Sequence, residues 1–308
     1  MFKRILFATT ASPACDHAAR VAFDLANRYN AEIITFHVLG IPSRGFSQYV
    51  VDARTGEQVS YDDDYLEWVK EEIKTVYAKQ IEQCRHSTVE ALPGVPHTEI
   101  LRFARKKDVD LIVMSSATRK EYEEGSPYTR RFAGSTLQAV AKAARCPVLV
   151  IGRPAASFWG GISNIVFGTD FSTPSDAAFM FAYKVAKALG CTLYLFHALD
   201  LSAVYSGKAL EQDEIEERIR EARKKMTKTY VSRMEGFKDY EVEIWEGMPY
   251  VEIVKFAREK YADLIVMAHH TRETDAEKAQ LGSTMEQVIL RATCPIISVN
   301  HPGKVADV

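Results

Sequence analysis

The chain has 308 residues and five widely spaced cysteines; 47% of its residues are hydrophobic, 26% are charged, and the formal net charge is -2 at pH 7. These values are typical of a globular protein with two compact domains. They give no reason to expect a nucleic-acid or membrane partner. The cysteines form no Cys-x-x-Cys pair, and the N-terminus has no signal-peptide pattern. We therefore expect a cytoplasmic protein without a disulfide framework or a metal site.

The first half alternates between short apolar segments and segments with apolar residues at helical spacing. The run 111–114 is apolar throughout, which is typical of a strand buried on both faces of a parallel sheet. Ser12-Pro13 is a typical helix start, and further helices are predicted at about 65–84, at about 98–106 and after Gly134. A long polar loop precedes the helix at 65–84. The predicted strands are 5–8, 32–38, 88–92, 111–114 and 148–150.

The second half repeats the first in the same order, from Ile165 to Val299. The offset between matching segments falls from 160 to 148 only where one half has extra loop residues. A repeat of this length indicates a duplicated domain. We predict domains at 1–152 and 161–308, with a linker rich in glycine and proline between them. The matching segments include 4–10 with 164–170, 110–114 with 263–267, and 134–136 with 282–284.

Alternation of strands and helices predicts the α/β class. We expect two tandem doubly wound domains, each a five-stranded mostly parallel sheet with helices on both faces. Ligands of such sheets bind beyond the carboxyl ends of the strands, where the strand order reverses. In the first half these ends are Thr9-Thr10 and Ser115-Ser116, and in the second half they are Thr169-Asp170 and Ala268-His269.

Several short motifs occur at domain-wide spacing in the second half, and most of them also occur in the first. They are Thr-Asp-Phe-Ser-x-Pro at 169–174, Gly-x-Pro at 247–249, Asp-Leu-Ile-Val-Met at 263–267, Gly-Ser at 282–283 and Cys-Pro at 294–295. Together they resemble the universal stress protein family, as a tandem two-domain member. The resemblance implies a role in the stress response and pairing of domains through their last strands, 148–150 and 296–299.

The nucleotide-binding members of that family carry Gly-x-x-Gly, nine residues and Gly-Ser or Gly-Thr after the fourth strand. Glycines let backbone amides approach phosphate oxygens, and the helix that follows directs its positive end at the anion. In those members an Asp after the first strand lies on the ribose side. The first half departs at Ser115, Thr118 and Thr10; the second half also lacks both glycines but keeps Asp170 and has ten residues before Gly282-Ser283.

The sizes of these effects favour the second half as the nucleotide site. A side chain where φ must be positive costs about 1–2 kcal/mol. Each lost hydrogen bond to a phosphate costs roughly 1.5–3 kcal/mol, against about -8 kcal/mol for micromolar binding. We therefore expect one adenine nucleotide, ATP or AMP, with or without Mg²⁺, in the second domain. Its predicted binding residues are Asp170, Ala198 through its backbone, Ala268, Gly282, Ser283 and Thr284.

Each of these residues also has a purely structural interpretation. Asp170 either faces a ribose or caps the helix that begins near Pro174. The segment Gly282-Ser283-Thr284 either cradles phosphate or only begins a helix. His37 and His197 occur at matching positions, which favours a shared role at the strand ends over ligand chemistry.

Two other functions remain open from the sequence. The altered glycine loops are consistent with an interaction protein that binds no nucleotide and works through its domain pair, within one chain or as a homodimer. A slow nucleotide hydrolase or a nucleotidyl-transfer enzyme is suggested only by His269, His270, Arg272 and Asp170. No Walker-type loop, Gly-x-Ser-x-Gly or His-Glu-x-x-His segment supports an enzyme.

Overall fold

The structure is a computed structural model that describes residues 2–40, 49–51, 58–60, 62–116, 134–152, 161–200, 211–268, 283–299 and 301. In the first half the strands are β1 (Arg4–Ala8), β2 (Glu32–Gly40), β3 (Tyr49–Val51), β4 (Gln58–Ser60), β5 (Ser87–Gly94), β6 (Leu111–Ser115) and β7 (Val148–Ile151). The helices are α1 (Asp16–Tyr29), α2 (Asp63–Val76), α3 (Ala78–Glu82), α4 (Pro96–Lys106) and α5 (Ser135–Ala143).

The second half repeats this order of elements. Its strands are β8 (Asn164–Gly168), β9 (Thr192–Leu199), β10 (Tyr240–Glu246), β11 (Leu264–Met267) and β12 (Ile296–Ser298). Its helices are α6 (Thr173–Leu189), α7 (Gln212–Thr229), α8 (Pro249–Glu259) and α9 (Ser283–Arg291). Among the residues described, no helix combines the length and apolar character needed to cross a bilayer.

Each half contains five parallel strands in the same spatial order. The order is β5-β2-β1-β6-β7 in the first half and β10-β9-β8-β11-β12 in the second. In the first half the chain therefore adds β2 and β5 on one side of β1, and then crosses to the other side of β1 to form β6 and β7. The switch in strand order lies between β1 and β6, and between β8 and β11. Open α/β sheets bind ligands at such a switch point.

The two halves join through their last strands. Strand β7 pairs with β12 in antiparallel register, with Leu149 opposite Ile297, so that the described strands form one sheet of twelve. Beside this junction the Nε2 of Gln138 donates to Oε1 of Glu286 at 2.9 Å. The predicted pairing of the domains through their last strands is therefore confirmed within the chain. Because the pairing is antiparallel, the carboxyl strand ends of the second half lie at the same edge as the amino strand ends of the first.

Two hydrophobic cores cover the two faces of the sheet, and each core extends through both halves. Successive strand residues alternate between them, as the pleat of a strand requires: Ile5 and Phe7 lie in one core, and Leu6 in the other. Helices α1, α2, α6 and α7 pack on the first face, and α4, α5, α8 and α9 on the second. Burying each large apolar side chain contributes about 1.5–3 kcal/mol.

The predicted fold class is confirmed, with two local differences. The first half adds the hairpin β3–β4 next to β2, in a stretch that the sequence indicates only as a polar loop. The single helix predicted at 65–84 is two helices, α2 and α3, separated at Tyr77. Tyr77 is 1% exposed, and its hydroxyl lies 2.7 Å from Oγ1 of Thr9. The helix thus breaks where a side chain turns into the core to reach the end of β1.

Candidate functional site

A cavity of about 250 Å³ opens at the carboxyl ends of β8, β9 and β11. It therefore lies at the switch in strand order of the second half. Strand β8 ends at Gly168, strand β11 ends at Met267, and the first turn of α9 lies at the side of the cavity. Its volume lies slightly below the range of about 300–1,000 Å³ that is usual for small-molecule sites.

The walls of the cavity are mostly apolar. A Cβ atom placed on Gly168 would lie 2.3 Å from Cδ1 of Ile253, so Ile253 packs directly on the backbone of β8. An apolar cavity of this kind can bury the apolar part of a small ligand. The apolar lining residues are Phe196, Ala198, Pro249, Ile253, Met267, Ala268 and Met285.

Asp170 lies on the rim of this cavity and is exposed to solvent. Its Oδ1 accepts hydrogen bonds from the backbone N–H of Ser172 at 2.9 Å and from the hydroxyl of Ser175 at 2.7 Å. Ser172 precedes the first residue of α6, and Ser175 lies in its first turn. Asp170 therefore both faces the cavity and holds the start of α6. These bonds fix the orientation of the carboxylate before any ligand binds.

The end of β8 is held by a set of buried polar contacts around Thr169. Its Oγ1 lies 2.8 Å from the hydroxyl of Tyr230 and accepts from the N–H of Phe171 at 2.9 Å. Phe171 has a φ of +60°, an uncommon backbone conformation for a bulky residue. The first half repeats the arrangement with Thr9, Tyr77 and Ala11, whose φ is +53°.

His197 borders the cavity and completes this arrangement. Its Nδ1 donates to the carbonyl oxygen of Thr169 at 2.7 Å, which leaves Nε2 as the acceptor of the neutral ring. Burial lowers the pKa of His197, against the opposing effects of the Thr169 carbonyl and Asp170. His37 makes the equivalent bond to Thr9 at 2.8 Å. The predicted shared role of both histidines at the strand ends is confirmed.

Helix α9 directs its N-terminus toward the cavity, where Thr284 and Met285 contribute to the lining. The first backbone N–H groups of a helix have no acceptor within the helix and carry the positive end of its dipole. An anionic group at this edge would therefore face the positive end of the dipole of α9. The described residues that line the cavity include no Lys or Arg.

The first half carries bulkier or differently bonded side chains at the equivalent positions. Ala8 stands where the second half has Gly168, and Val38 where it has Ala198. Ser115, the counterpart of Ala268, donates from its hydroxyl to the carbonyl of Ala14 at 2.7 Å and so ties β6 to the turn after β1. These differences leave less space at the strand ends of the first half.

The sequence model of the universal stress protein family matches residues 1–152 and 161–300. The chain belongs to the universal stress protein family. Two curated members from Methanocaldococcus jannaschii are similar to it, each at 30% identity. Universal stress protein MJ0531 matches over 50% of this chain and 84% of its own, and MJ0577 over 45% of this chain and 94% of its own.

A solved structure of about the same length has the same fold as this universal stress protein. It is a universal stress protein from Archaeoglobus fulgidus, with a TM-score of 0.65 and 20% identity. The match covers 97% of this chain and 96% of the other. At this identity the likeness shows the fold alone.

The structure brings four of the six predicted site residues of this universal stress protein to one cavity: Asp170, Ala198, Ala268 and Thr284. Ser283 is the first residue of α9. Gly282 lies outside the described residues, as do His269, His270 and Arg272 of the hydrolase hypothesis and the first-half position Thr118. The helix-cap interpretation of Asp170 also has support, since its carboxylate contacts Ser172 and Ser175.

Most of the apolar residues that line the cavity are not predicted from the sequence. Pro249, Ile253 and Met285 come from two helices that pack beside the strand ends, and helical spacing alone shows only that such residues face the sheet. Gly168 could have been found, because the matching position in the first half is Ala8. A glycine in a buried strand where the repeat has a side chain indicates a close approach by another group.

Proposed function

We propose that this universal stress protein binds one adenine nucleotide, ATP or AMP, in the cavity of its second half and acts through it in the stress response. We also propose that 1–152 and 161–308 are its two domains, of which only the second holds nucleotide. The single observation that carries the proposal is the cavity at the switch point of the second half, with Asp170 on its rim and the N-terminus of α9 at its side. Family membership supports the stress role.

The adenine ring is assigned to the apolar part of the cavity. Ile253 and Met267 offer apolar contact surfaces there, and Ala198 of β9 has a small side chain that leaves room for the ring. The Ala198 backbone lies at the end of that strand, where peptide groups can recognise the edge of a base. Burial of an aromatic ring between such walls supplies affinity, and the backbone contacts supply orientation.

The ribose is assigned to Asp170. Its carboxylate can accept hydrogen bonds from the ribose hydroxyls, and such charge-assisted bonds are worth roughly 1.5–3 kcal/mol each. The contacts from Ser172 and Ser175 hold the carboxylate in place. Little side-chain entropy is therefore lost when the ligand binds.

The phosphates are assigned to the N-terminus of α9, next to Ser283 and Thr284. Backbone N–H groups at a helix start are well suited to phosphate oxygens. A Mg²⁺ ion in this proposal arrives with the nucleotide, since Mg²⁺ binds mainly through phosphates and water in such sites. Among the described residues no three His, Cys, Asp or Glu side chains are arranged to hold a metal.

A nucleotide-free interaction protein is the alternative, and one observation favours it. The described lining of the cavity contains no Lys or Arg to neutralise a phosphate. In this alternative the domain pair joined through β7 and β12 would present the functional surface. The same binding measurements decide between the two functions.

The test begins with the purified full-length chain. It is denatured, and the extract is separated by chromatography to detect AMP, ADP and ATP. Calorimetry with ATP and Mg²⁺, and with AMP, then measures the affinity of the emptied protein. Absence of nucleotide in the extract together with no binding heat above background would reject the proposal and favour the interaction protein.

Asp170→Ala provides the site-specific arm of this test. We expect it to weaken nucleotide binding by tenfold or more, because about 1.4 kcal/mol corresponds to a factor of ten. Asp170→Asn keeps an oxygen that can accept from Ser172 and Ser175, and thus separates loss of charge from loss of the turn. Thr10→Ala changes the matching residue of the first half and should leave affinity unchanged.

A further inference from the structure

A second cavity, of about 290 Å³, lies in the first half, at the edge of the sheet opposite its carboxyl strand ends. It is enclosed by the C-terminal ends of α4 and α5 and by the amino end of β6. Its floor consists of buried apolar residues, among them Ala104, Val109, Ile112 and Ala144. None of its lining residues belongs to the nucleotide cavity.

Two arginines stand at the mouth of this apolar floor. Arg105 and Arg145 both line the cavity and are exposed to solvent. Arg105 donates from Nε to the carbonyl of Leu101 at 3.1 Å. Within the described part of the chain, neither guanidinium forms an ion pair, and Arg145 forms no hydrogen bond. Both can therefore donate to a bound ligand.

The second half has different side-chain contacts at the equivalent place. Arg258, the counterpart of Arg105, donates to the carbonyl of Arg291 at 3.4 Å. Arg291 lies over the ring of Tyr250 at 5.3 Å. Thr293 replaces Arg145. The second half thus has one arginine at the two equivalent positions, whereas the first half has two, both at the mouth of a cavity.

The charges around the cavity select the kind of anion. Asp108 lies on the same rim as the two arginines, and His301, which follows β12, also reaches it from the second half. Helices α4 and α5 both end here, and the C-terminus of a helix carries negative partial charge. The Asp108 carboxylate and the two helix ends oppose a doubly charged phosphate more than a singly charged carboxylate. A planar carboxylate also matches the two parallel donors of a guanidinium.

We propose that this cavity binds a small monocarboxylate with a short aliphatic chain. The carboxylate pairs with Arg145 and Arg105, and the aliphatic part covers Val109 and Ile112 on the buried floor. The halves differ at this place in the charged residues that the proposal needs. The two cavities share no lining residue. Failure of this proposal would therefore not affect the proposal for the nucleotide, and the reverse also holds.

The experiment titrates the full-length chain with 4-methylpentanoate and follows binding by nuclear magnetic resonance. Saturable shifts with one site per chain are expected. The neutral 4-methylpentanamide has the same apolar part and should bind at least tenfold more weakly, since the charge-assisted bonds are lost. Amide binding as tight as that of the acid, or no saturable shift with the acid, would overturn the proposal. Tighter binding of inorganic phosphate than of the acid would overturn the carboxylate assignment.

Matched variants locate the site. Arg145→Thr introduces the residue of the second half and is expected to weaken binding of 4-methylpentanoate about tenfold. Arg258→Thr, which changes the counterpart of Arg105, should leave it unchanged. Both positions are exposed, and circular dichroism verifies that the variants fold. Equal affinity of Arg145→Thr and the parent protein would show that the arginine does not hold the ligand.

Discussion

Small side chains distinguish the strand ends of the second half from those of the first. Gly168 and Ala198 border the cavity of the second half, whereas Ala8 and Val38 occupy the same positions in the first. A Cβ on Gly168 would lie 2.3 Å from Cδ1 of Ile253, which belongs to α8. Helix α8 therefore cannot pack on β8 in the same way as the matching helix α4 packs in the first half. Protein interiors are closely packed, so that even one or two additional methyl groups change how neighbouring elements fit.

Ala198→Val transfers this difference to the second half. The valine is the natural residue at the matching position of the first half and suits a strand, so the fold should be retained. Overpacking of this kind costs about 1–3 kcal/mol, and we expect calorimetry to show nucleotide affinity reduced about tenfold or more. Ala198→Gly serves as the control with affinity close to the parent. Unchanged affinity in Ala198→Val would place the base elsewhere.

The histidine beside the cavity gives a prediction for pH. Burial lowers the pKa of His197 below the value of about 6.5 for an exposed histidine. The unfolded chain then binds more protons at this site as the pH falls below about 6.5, and the free energy of unfolding decreases. His197→Asn can still donate to Thr169 but does not titrate. Urea unfolding at pH 7 and pH 5 should show a smaller decrease in the free energy of unfolding for the variant than for the parent. Equal decreases in the two proteins would contradict the prediction.

At the scale of elements, the same side-chain contact holds the end of the first strand in both halves. A tyrosine hydroxyl meets the threonine that follows the strand: Tyr77 with Thr9 at 2.7 Å, and Tyr230 with Thr169 at 2.8 Å. Burial raises the pKa of both tyrosines, so both hydroxyls stay protonated. The same threonine oxygens accept from residues with positive φ, Ala11 and Phe171. The contact thus stabilises the turn that leads to the ligand edge.

Tyr230→Phe and Tyr77→Phe form a matched pair that tests this contact. Each removes one buried hydrogen bond, and we expect each to lower the free energy of unfolding by about 1 kcal/mol. Only Tyr230→Phe should also weaken nucleotide binding, because only its threonine borders the cavity. Chemical denaturation and calorimetry measure the two effects. Equal losses of nucleotide affinity in both variants would indicate a general effect of stability.

The sequence predicts elements well where local rules decide, and poorly where distant contacts do. The apolar runs predict the inner parallel strands of each half, because strands buried on both faces carry few polar residues, whereas the outer strands β5 and β10 are only partly buried. The break at Tyr77 could not be predicted, since it depends on a contact with Thr9, 68 residues away. The site residues Asp170 and Ala268 follow from their place after a strand, whereas Ile253 and Met285 require knowledge of helix packing.

At the scale of the whole molecule, duplication has produced two halves that share one sheet but differ in the side chains at their carboxyl strand ends. The antiparallel pairing of β7 with β12 places the carboxyl strand ends of the two halves at opposite edges of the sheet. Gln138 and Glu286 stand at matching positions, and their hydrogen bond spans the junction beside these strands. Each half can therefore lose or keep a ligand site without disturbing the shared junction.

This asymmetry predicts a stoichiometry of one nucleotide per chain. Gly282→Trp alters the residue before α9 and should abolish binding, because a large side chain would fill the place assigned to the phosphates. Gly134→Trp alters the matching residue before α5 and should leave binding nearly intact. Titration of both variants beside the parent, with circular dichroism to verify folding, makes the comparison. Two sites per chain, or loss of binding only in Gly134→Trp, would show that the first half binds the nucleotide despite its bulkier strand ends.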